Sequence, residues 1–409
     1  MQFAARHDLL VAVRGGGHSL PGYSVCEGGI MIDLAPMQGV RVDPQTRGVR
    51  AEPGVLLGAL DRETQAFGLV VPAGTVSHTG VAGLTLGGGV GRLQRKFGLT
   101  VDCMVGAELV TAAGRLVRAG SDENPDLLWA LQGGGGNFGV VTSFEYSLQP
   151  LGDLQLGRIN VPIGHLRRAL EAAASLAHEI PDELNMFLVG PVLDAPPDRE
   201  PDPAIDGLVF GINLAFQGSA ADAELAIEPL RELRAIPGVV GGFKPVTYAE
   251  LQSRTGILPF GLRHYWKGHF LRELDGAAVD AVVAAAEARP PGHSFLLLEA
   301  ITGRARHEPE GGAAFGQRGA RWNASALGIW EDIAHDDENV AWVRRTADAL
   351  KASSYTGAGY GNYAQADEPA ERVRAAYGDD RWQRLRAVKR RYDPDNVFRF
   401  NHNIPPADA

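Results

Sequence analysis

The sequence predicts an α+β protein that contains two regions of different texture. Its 409 residues exceed what one typical core holds, so we expect more than one domain. Residues 1–150 mix short strands and helices with three clusters of glycine, which indicates an α+β unit. From about Asp153 the chain shows longer strands and amphipathic helices, a pattern typical of an antiparallel sheet backed by helices.

In the first region, short elements connect the glycine clusters. MQFAARHDLL indicates a helix, residues 9–13 a strand that is apolar on both faces, and GIMIDL an alternating strand. VRVDPQTRGVRAEPG predicts a hairpin, and VLLGALDRETQAFGL has the 3.6-residue apolar period of a helix. AELVTAAGRLVRAG predicts a second hairpin that turns at Ala113 and Gly114.

In the second region, strands alternate with helices. The predicted strands are LQLGRINVPI, LNMFLVGPVL, GLVFGINLAF, HYWKGHFL, HSFLLLEAITG and ARWNASALGIW. The predicted helices cover residues 166–179, 221–233, 277–288 and 339–351. The piece DAPPDREPDPAID, residues 194–206, predicts a surface loop.

Composition excludes several classes of function. The formal charge of −10 argues against a nucleic-acid partner and against binding to an anionic membrane surface. Two cysteines, Cys26 and Cys103, exclude a disulfide scaffold and a cysteine-rich metal site, and no other pattern indicates a metal. No stretch is apolar over the length of a bilayer and no signal peptide is visible, so we expect a cytoplasmic protein. The oligomeric state is not indicated.

The run LLVAVRGGGHS, residues 9–19, carries the strongest local signal. Gly15, Gly16 and Gly17 form a turn without side chains, where backbone N–H groups can surround an anion. His18 places an imidazole beside them. This arrangement suits a phosphate-bearing cofactor with a reactive ring, although a tight turn with an ordinary histidine explains the same residues.

The third glycine cluster has the spacing of a dinucleotide fingerprint in the wrong context. Gly134, Gly136 and Gly139 match G-x-G-x-x-G, but the helical pattern NPDLLWALQ precedes them and the strand-like VVTSFEY follows. A Rossmann motif follows a strand and opens a helix, so we reject NAD binding. The chain also lacks a P-loop sequence, which argues against a nucleoside triphosphatase.

Several motifs, in order from about residue 8 to residue 406, resemble the berberine-bridge-enzyme-like flavin oxidases of the vanillyl-alcohol-oxidase (PCMH-type) family. They are RGGGHS, PAGTVSHTGVAGLTLGGGVG, FGLTVD, LLWALQGGGGNFGVVTSFEY and YGNY…RYDPDNVFRFNHNIPP. The resemblance implies a PCMH-type FAD-binding domain of two α/β subdomains at residues 1–150. It also implies a substrate-binding domain at residues 151–355 and a C-terminal segment, residues 356–409, that returns to the first domain. The family normally has a βαβ portion before the first helix, so we expect the N-terminal part of the FAD-binding domain to be truncated.

The resemblance also implies an activity and a set of cofactor-binding residues. The expected activity is FAD-dependent oxidation of a sugar, alcohol or natural product at a hydroxyl- or amine-bearing carbon, with oxygen as acceptor. His18 matches the histidine that the family links covalently to the flavin. The other residues expected to contact FAD are Arg14, Gly15, Gly16, Gly17, Ser19, Gly74, Thr75, Gly80, Gly83, Gly87, Gly88, Gly89, Gly91, Gly136, Gly139, Val141 and Asn403.

Two departures from the family pattern concern the flavin and its surroundings. Many members form a second link through a cysteine at the place that Val76 holds here. We therefore expect a single covalent bond through His18 and no cysteinyl link. An aromatic residue often follows the GGGVG run, whereas this chain has Arg92, so we expect a changed cavity wall there.

Tyr360 matches the tyrosine of the family's Y-x-N element and is the expected catalytic base. A phenol with an ordinary pKa of about 10 needs a nearby cation or strong donor to act as a base at neutral pH. We consider Lys267 and Arg263 for that cation. A core tyrosine with a hydrogen-bond partner is the alternative.

Two further residues are expected to meet the substrate, each with an open alternative. Trp266 lies in an alternating strand, where aromatic residues commonly belong to the core. Glu299 follows an apolar run, so it either works in the cavity or forms a salt bridge. At the level of the whole chain, the alternative to an oxidase is a non-catalytic flavin-binding protein or an inactive, truncated gene product.

Overall fold

A computed structural model describes residues 1–193, 207–253 and 261–408. Its strands are β1 (Val11–Arg14), β2 (Ile30–Asp33), β3 (Val40–Asp43), β4 (Gly48–Ala51), β5 (Leu69–Val70), β6 (Met104–Val110), β7 (Leu116–Gly120), β8 (Val140–Ser147), β9 (Gln149–Pro150), β10 (Leu154–Pro162), β11 (Leu184–Leu193), β12 (Leu208–Gln217), β13 (Val240–Pro245), β14 (Arg263–Leu271), β15 (Phe295–Ala300) and β16 (Trp322–Trp330).

Helices occur in both regions. They are α1 (Gln2–Arg6), α2 (Leu57–Gln65), α3 (Val81–Leu86), α4 (Gln94–Phe97), α5 (Thr100–Cys103), α6 (Pro125–Leu131), α7 (Leu166–Glu179), α8 (Ala220–Ala226), α9 (Arg231–Arg234), α10 (Tyr248–Ser253), α11 (Gly276–Glu287), α12 (Asp336–Leu350), α13 (Ala370–Tyr377) and α14 (Asp379–Tyr392). The predicted surface loop at residues 194–206 lies outside the described residues.

The first region contains a five-stranded antiparallel sheet in the order β3-β4-β8-β6-β7. Strands β1 and β2 pair in parallel beside it, and β5 pairs with β9. The core between this sheet and its helices includes Leu60 of α2, Leu127 of α6 and Phe144 of β8. Trp382 and Leu385 of α14 belong to the same core, so the C-terminal helix packs on the first region. The N-terminal truncation stays a prediction.

The second region is a seven-stranded antiparallel sheet in the order β13-β10-β12-β11-β15-β16-β14. Helices α7, α11 and α12 bury their apolar faces against one side of it. Because side chains alternate along a strand, Leu296 and Leu298 of β15 enter this core, whereas Leu297 and Glu299 face the other way. The helices cover one face, and the other face is left for a cavity.

The α+β prediction is confirmed, as is the helix-to-strand turn between α6 and β8 that excluded NAD binding. One predicted helix is wrong as drawn. The expected helix over residues 221–233 is interrupted by a 3₁₀ turn at Glu228–Leu230, because Pro229 has no N–H for the helical ladder. Strand β13 was not predicted, since Gly241 and Gly242 obscure its pattern. Among the described helices, none combines the length and apolarity that a membrane span requires.

Candidate active site

A cavity of about 990 Å³ lies between the glycine-rich loops of the first region and the uncovered face of the seven-stranded sheet. On one side it is lined by most residues of the segments 15–19, 74–87 and 133–139, which we call the glycine wall. On the other side are cavity-facing side chains of β11, β14 and β15 together with Arg92 and residues 360–363, which we call the sheet wall. Ligand pockets usually measure about 300–1,000 Å³, so this cavity lies at the upper end of that range.

The first loop of the glycine wall follows β1 directly. Gly15, Gly16 and Gly17 all line the cavity. A Cβ atom on Gly16 would overlap the backbone of Gly80, so the two loops touch at positions where no side chain fits. Gly17 has φ of 74°, which a residue with a side chain rarely adopts. The turn therefore depends on glycine for both its contact and its shape.

His18 lines the cavity at the end of this loop and contacts a second histidine. Its Nε2 lies 2.7 Å from Nδ1 of His78, a distance at which one ring must donate and the other accept. Burial lowers the pKa of His18 below its usual value, and nearby His78 lowers it further. His18 is therefore kept neutral near pH 7, the form in which a ring nitrogen can act as a nucleophile.

The second loop of the glycine wall leads into α3. Most of the residues expected here do line the cavity, namely Gly74, Thr75, Gly80, Gly83 and Gly87. The three other glycines, Gly88, Gly89 and Gly91, are not part of the lining. A Cβ on each of them would collide with Phe315, Thr100 and Ala73, respectively. These three glycines therefore serve close packing within the protein.

The remaining residues expected at the cofactor divide in the same way. Ser19 lines the cavity in the first loop, and Gly136, Gly139 and Val141 line it in the third. Arg14 is outside the lining, and its guanidinium lies 3.7 Å from the carboxylate of Asp33.

Asn403 is also outside the lining. Its Oδ1 is buried and has no hydrogen-bond partner within the described residues. Oδ1 of Asn401, which does line the cavity, is buried and unpartnered as well. Two acceptors near this end of the chain are therefore available to a donor that the protein does not supply.

A buried ion pair holds the third loop from behind. Lys389 and Asp393 of the C-terminal segment are both fully buried, with Nζ 2.7 Å from Oδ2. Lys389 also donates to the carbonyl oxygens of Asn137 and Phe398, each at 2.8 Å. The ammonium group thus joins α14, the third glycine loop and the segment that closes the cavity.

Tyr360 lines the cavity and is only 4% exposed. Its hydroxyl oxygen accepts hydrogen bonds from the backbone N–H groups of Gly89 and Val90, at 2.9 and 3.2 Å, and from Nδ2 of Asn362 at 2.9 Å. Burial raises the pKa of Tyr360 to about 12, although these donors act in the opposite direction. The site thus supplies strong donors to the phenol.

The cations considered for Tyr360 are occupied elsewhere. Lys267 lines the cavity, but its ammonium group lies 3.0 Å from carboxylate oxygens of both Asp367 and Glu368. Arg263 forms a bidentate pair with Asp336. No contact joins either cation to Tyr360 among the described residues.

Glu299 is a buried carboxylate in the sheet wall, 1% exposed. Oε2 accepts from Nδ2 of Asn323 at 2.6 Å, and Oε1 accepts from the hydroxyl of Tyr363 at 3.3 Å. Burial raises the pKa of Glu299 to about 7, while both donors and the charge of Arg92 limit the rise. Near neutral pH this group can therefore gain or lose a proton.

Other side chains shape the sheet wall. Trp266 faces the cavity and its ring contacts that of Tyr363. Arg92 lines the cavity with its guanidinium 5.8 Å from the ring centre of Phe187, and burial lowers its pKa to about 10. The wall at this position therefore carries a cation.

Val76 lines the cavity at the place considered for a cysteine. Both cysteines of the chain, Cys26 and Cys103, are free thiols outside the lining.

Sequence reasoning did not single out His78, Asn362 or Tyr363. His78 lies within the second glycine cluster, and Asn362 is the third residue of the Y-x-N element. A signal for both was therefore present in quoted motifs. The bonds of His78 to His18 and of Asn362 to Leu84 join residues distant in sequence, however, and no local pattern shows them.

The residues of the glycine wall fit an FAD molecule. A Cβ on Gly83 or Gly136 would meet no protein atom within 4 Å, so the space in front of both belongs to the cavity. Backbone N–H groups of glycine-rich turns suit a diphosphate. The neutral imidazole of His18 and the unpartnered oxygens of Asn401 and Asn403 add a nucleophile and acceptors. In the described residues, no cluster of His, Cys, Asp and Glu could hold a metal ion.

Two family models match the chain. The one described as FAD binding domain covers residues 1–120, and the one described as berberine and berberine like covers residues 359–405. The chain is 30% identical to an FAD-linked oxidoreductase of Dictyostelium discoideum, over 99% of the chain and 85% of that protein. It is 31% identical to the (R)-6-hydroxynicotine oxidase of Paenarthrobacter nicotinovorans, over 99% of the chain and 88% of that oxidase.

Solved structures show the same fold. A xylooligosaccharide oxidase from Myceliophthora thermophila superimposes with a TM-score of 0.85 at 23% identity, over 99% of the chain and 88% of that structure. A 6-hydroxy-D-nicotine oxidase from Arthrobacter nicotinovorans superimposes with a TM-score of 0.82 at 27% identity, over 99% of the chain and 89% of that structure. The expected PCMH-type fold is confirmed by these matches.

Proposed function

The chain belongs to the berberine-bridge-type FAD-linked oxidoreductases, and from that premise we propose that it oxidises a small molecule at a hydroxyl- or amine-bearing carbon, with oxygen as the final acceptor. Relatives named as oxidases favour this function over a non-catalytic flavin-binding protein. The observation that carries it is that His18 on the glycine wall and the ionisable side chains of Glu299 and Tyr360 on the sheet wall line the same cavity.

We propose that His18 carries the only covalent bond to FAD. In the tautomer in which Nε2 donates to His78, the lone pair of Nδ1 remains available for bond formation. The lowered pKa of His18 keeps this lone pair unprotonated at neutral pH. Val76 offers no thiol for a second bond.

Once bound, FAD supplies the acceptor for the two electrons and the hydrogen of the substrate's C–H bond, and oxygen then takes the electrons. The chain's own residues handle the remaining proton. Tyr360 is the proposed base. Glu299 is a second group that can hold a proton; it accepts a hydrogen bond from Tyr363, whose ring contacts that of Tyr360. Trp266 and Phe187 line this part of the cavity with aromatic rings, which favour an apolar substrate surface over water.

The substrate class follows from this chemistry and from the relatives. The similar proteins include sugar oxidases and a nicotine oxidase. We propose a sugar, alcohol or natural product that fits between the flavin and the sheet wall. Arg92 and Glu299 there supply one cation and one acid for polar recognition.

Mass spectrometry tests the covalent link directly. Trypsin releases residues 15–41 as one peptide, and we expect this peptide to carry the mass of the flavin. The variant His18→Ala should release all flavin on acid precipitation. An unmodified peptide from protein made with ample riboflavin would rule out the link, and absence of any flavin would rule out the enzyme.

A donor panel of sugars, alcohols and amines under anaerobic conditions tests turnover by bleaching of the flavin. For a donor that bleaches it, Tyr360→Phe should slow flavin reduction about a hundredfold or more, since general bases contribute about 10²–10⁴-fold. The matched control is Tyr265→Phe, because the hydroxyl of Tyr265 donates a hydrogen bond to Asp367 and lies outside the cavity lining. An unchanged reduction rate in Tyr360→Phe would rule out its role as base.

A further inference from the structure

The oxygen of Tyr360 is surrounded by hydrogen-bond donors from two distant parts of the chain. Gly89 and Val90 donate through backbone N–H groups that lie about 270 residues before Tyr360, and Asn362 donates through its side-chain amide. None of the three donors carries a charge. These neutral donors therefore stand where a neighbouring cation was expected, and burial still raises the pKa of Tyr360 to about 12 against them.

The orientation of the Asn362 amide follows from a second contact. Its Nδ2 also lies 3.2 Å from the carbonyl oxygen of Leu84 in α3. A carbonyl oxygen can only accept, so the atom that faces it must be the amide nitrogen. The two hydrogens of that nitrogen then serve Leu84 and Tyr360, and Asn362 cannot turn its oxygen toward the phenol without losing both bonds.

The backbone donors are consecutive residues that converge on one oxygen. Gly89 has φ of 81°, and such a left-handed residue beside an ordinary one forms a nest of N–H groups that binds anions. A Cβ on Gly89 would collide with Thr100, so this conformation and packing both require glycine. The nest fills one side of the phenol oxygen, and the Asn362 amide fills a second.

Three donors suit an ionised oxygen better than a neutral one. A phenolate has no hydrogen of its own and can accept three hydrogen bonds, whereas a phenol must also find an acceptor for its O–H. Among the described residues, the titratable groups that face Tyr360 are Glu299 of β15 and the neighbouring Tyr363. The negative charge of Glu299 opposes ionisation of Tyr360, so the neutral donors act against both this charge and burial.

We propose that the N–H groups of Gly89 and Val90 and the amide of Asn362 form an anion hole for the Tyr360 oxygen, with Asn362 as a positioning residue for the base. The inference rests on the proposed function, in which Tyr360 takes the proton of the substrate. In that step the O–H or N–H bond of the substrate breaks, its electron pair stays on the heteroatom, and the proton moves to the Tyr360 oxygen, which then keeps two of its three accepted hydrogen bonds. Proton transfer itself needs no oxidant.

The test measures ionisation of residue 360 without any substrate. Tyr360 is replaced by a polyfluorinated tyrosine, whose phenol ionises several pH units below that of tyrosine, and its ¹⁹F signal is followed against pH in the full-length protein. The comparison covers the otherwise unchanged chain, Asn362→Ala and Asn362→Asp. Asn213→Ala serves as the matched control, because Asn213 lines the same cavity and its amide bonds Gly211.

We expect the titration midpoint to rise by about one pH unit or more in Asn362→Ala, because a donor to the charged form is lost. It should rise further in Asn362→Asp, where a carboxylate faces the oxygen, and stay unchanged in Asn213→Ala. A merely structural role for Asn362 would not order the three midpoints in this way. Equal midpoints in the Asn362 and Asn362→Ala proteins would overturn the proposal.

The experiments distinguish failure of the anion hole from failure of the proposed function. If Asn362→Ala does not fold, the isosteric Asn362→Asp alone decides, since the proposal requires a higher midpoint there and an unchanged or lower one refutes it. If no donor bleaches the flavin but the midpoints follow the expected order, the anion hole stands and the assigned reaction fails. If donors bleach the flavin while the midpoints are equal, the reaction stands and the hole is refuted.

Discussion

The glycine wall and the sheet wall of the cavity differ in what they present to a ligand. The glycine wall offers mainly backbone, and its shape depends on loop contacts such as that of Gly16 with Gly80. The sheet wall offers side chains whose pKa values are moved by burial, such as Glu299 and Arg92. Backbone recognition suits a cofactor with constant chemistry, whereas side-chain groups set which substrate is bound and where its proton goes.

The two walls also differ in how they are held in place. The strands of the sheet wall belong to the seven-stranded sheet, and α7, α11 and α12 pack against the face of that sheet opposite the cavity. The third loop of the glycine wall is held instead by the buried Lys389–Asp393 pair and its bonds to Asn137 and Phe398. The sheet wall thus depends on apolar packing, and the third loop of the glycine wall depends on a buried ion pair.

The largest expected effect comes from breaking the Lys389–Asp393 ion pair. Lys389→Met leaves the carboxylate of Asp393 buried without its cation, which typically costs about 3–5 kcal/mol. We expect a lower urea midpoint and less flavin incorporated, because the third loop loosens. The double variant Lys389→Met with Asp393→Asn should recover part of the loss, and the exposed Lys351→Met should be neutral. A change below about 1 kcal/mol would show that the loop does not depend on this pair.

A second prediction concerns the sheet wall and its dependence on pH. Because the pKa of Glu299 is about 7 when folded and 4.5 ordinarily, the folded protein binds this proton more tightly than the unfolded chain. The stability that protonated Glu299 contributes is present below about pH 4.5 and is lost as the pH rises to about 7. At 1.36 kcal/mol per pKa unit, this loss amounts to about 3 kcal/mol.

Glu299→Gln removes this titration. We therefore expect the variant to gain stability relative to the parent by up to about 3 kcal/mol between pH 4.5 and 8, measured as the difference in urea unfolding at each pH. The exposed Glu338→Gln gives the background slope. Parallel curves for Glu299→Gln and its parent would mean that Glu299 is not the buried acid described above.

The walls also differ in how far the sequence predicts them. The glycine clusters were predictable because tight turns leave a local signature, and most of the glycines expected at the cofactor do line the cavity. The sheet wall was less predictable, because its properties depend on partners far away in the chain. Lys267 was considered as a partner for Tyr360, but its carboxylate partners lie about 100 residues away. Asn362 lay within a quoted motif, yet its bond to Leu84 joins residues 278 positions apart.

The smallest expected effect separates cofactor binding from folding on the glycine wall. Gly83 lies in α3, where a larger residue raises helix propensity by up to about 1 kcal/mol, and a Cβ there meets no protein atom within 4 Å. Gly83→Leu should therefore fold at least as well as the parent while its side chain enters the cavity. We expect flavin incorporation, measured by visible absorbance per protein, to fall about tenfold, which corresponds to about 1.4 kcal/mol in the binding step that precedes the covalent bond. Gly276→Leu, a helical glycine outside the cavity lining, is the control, and full flavin content in Gly83→Leu would mean that the cofactor does not contact this wall.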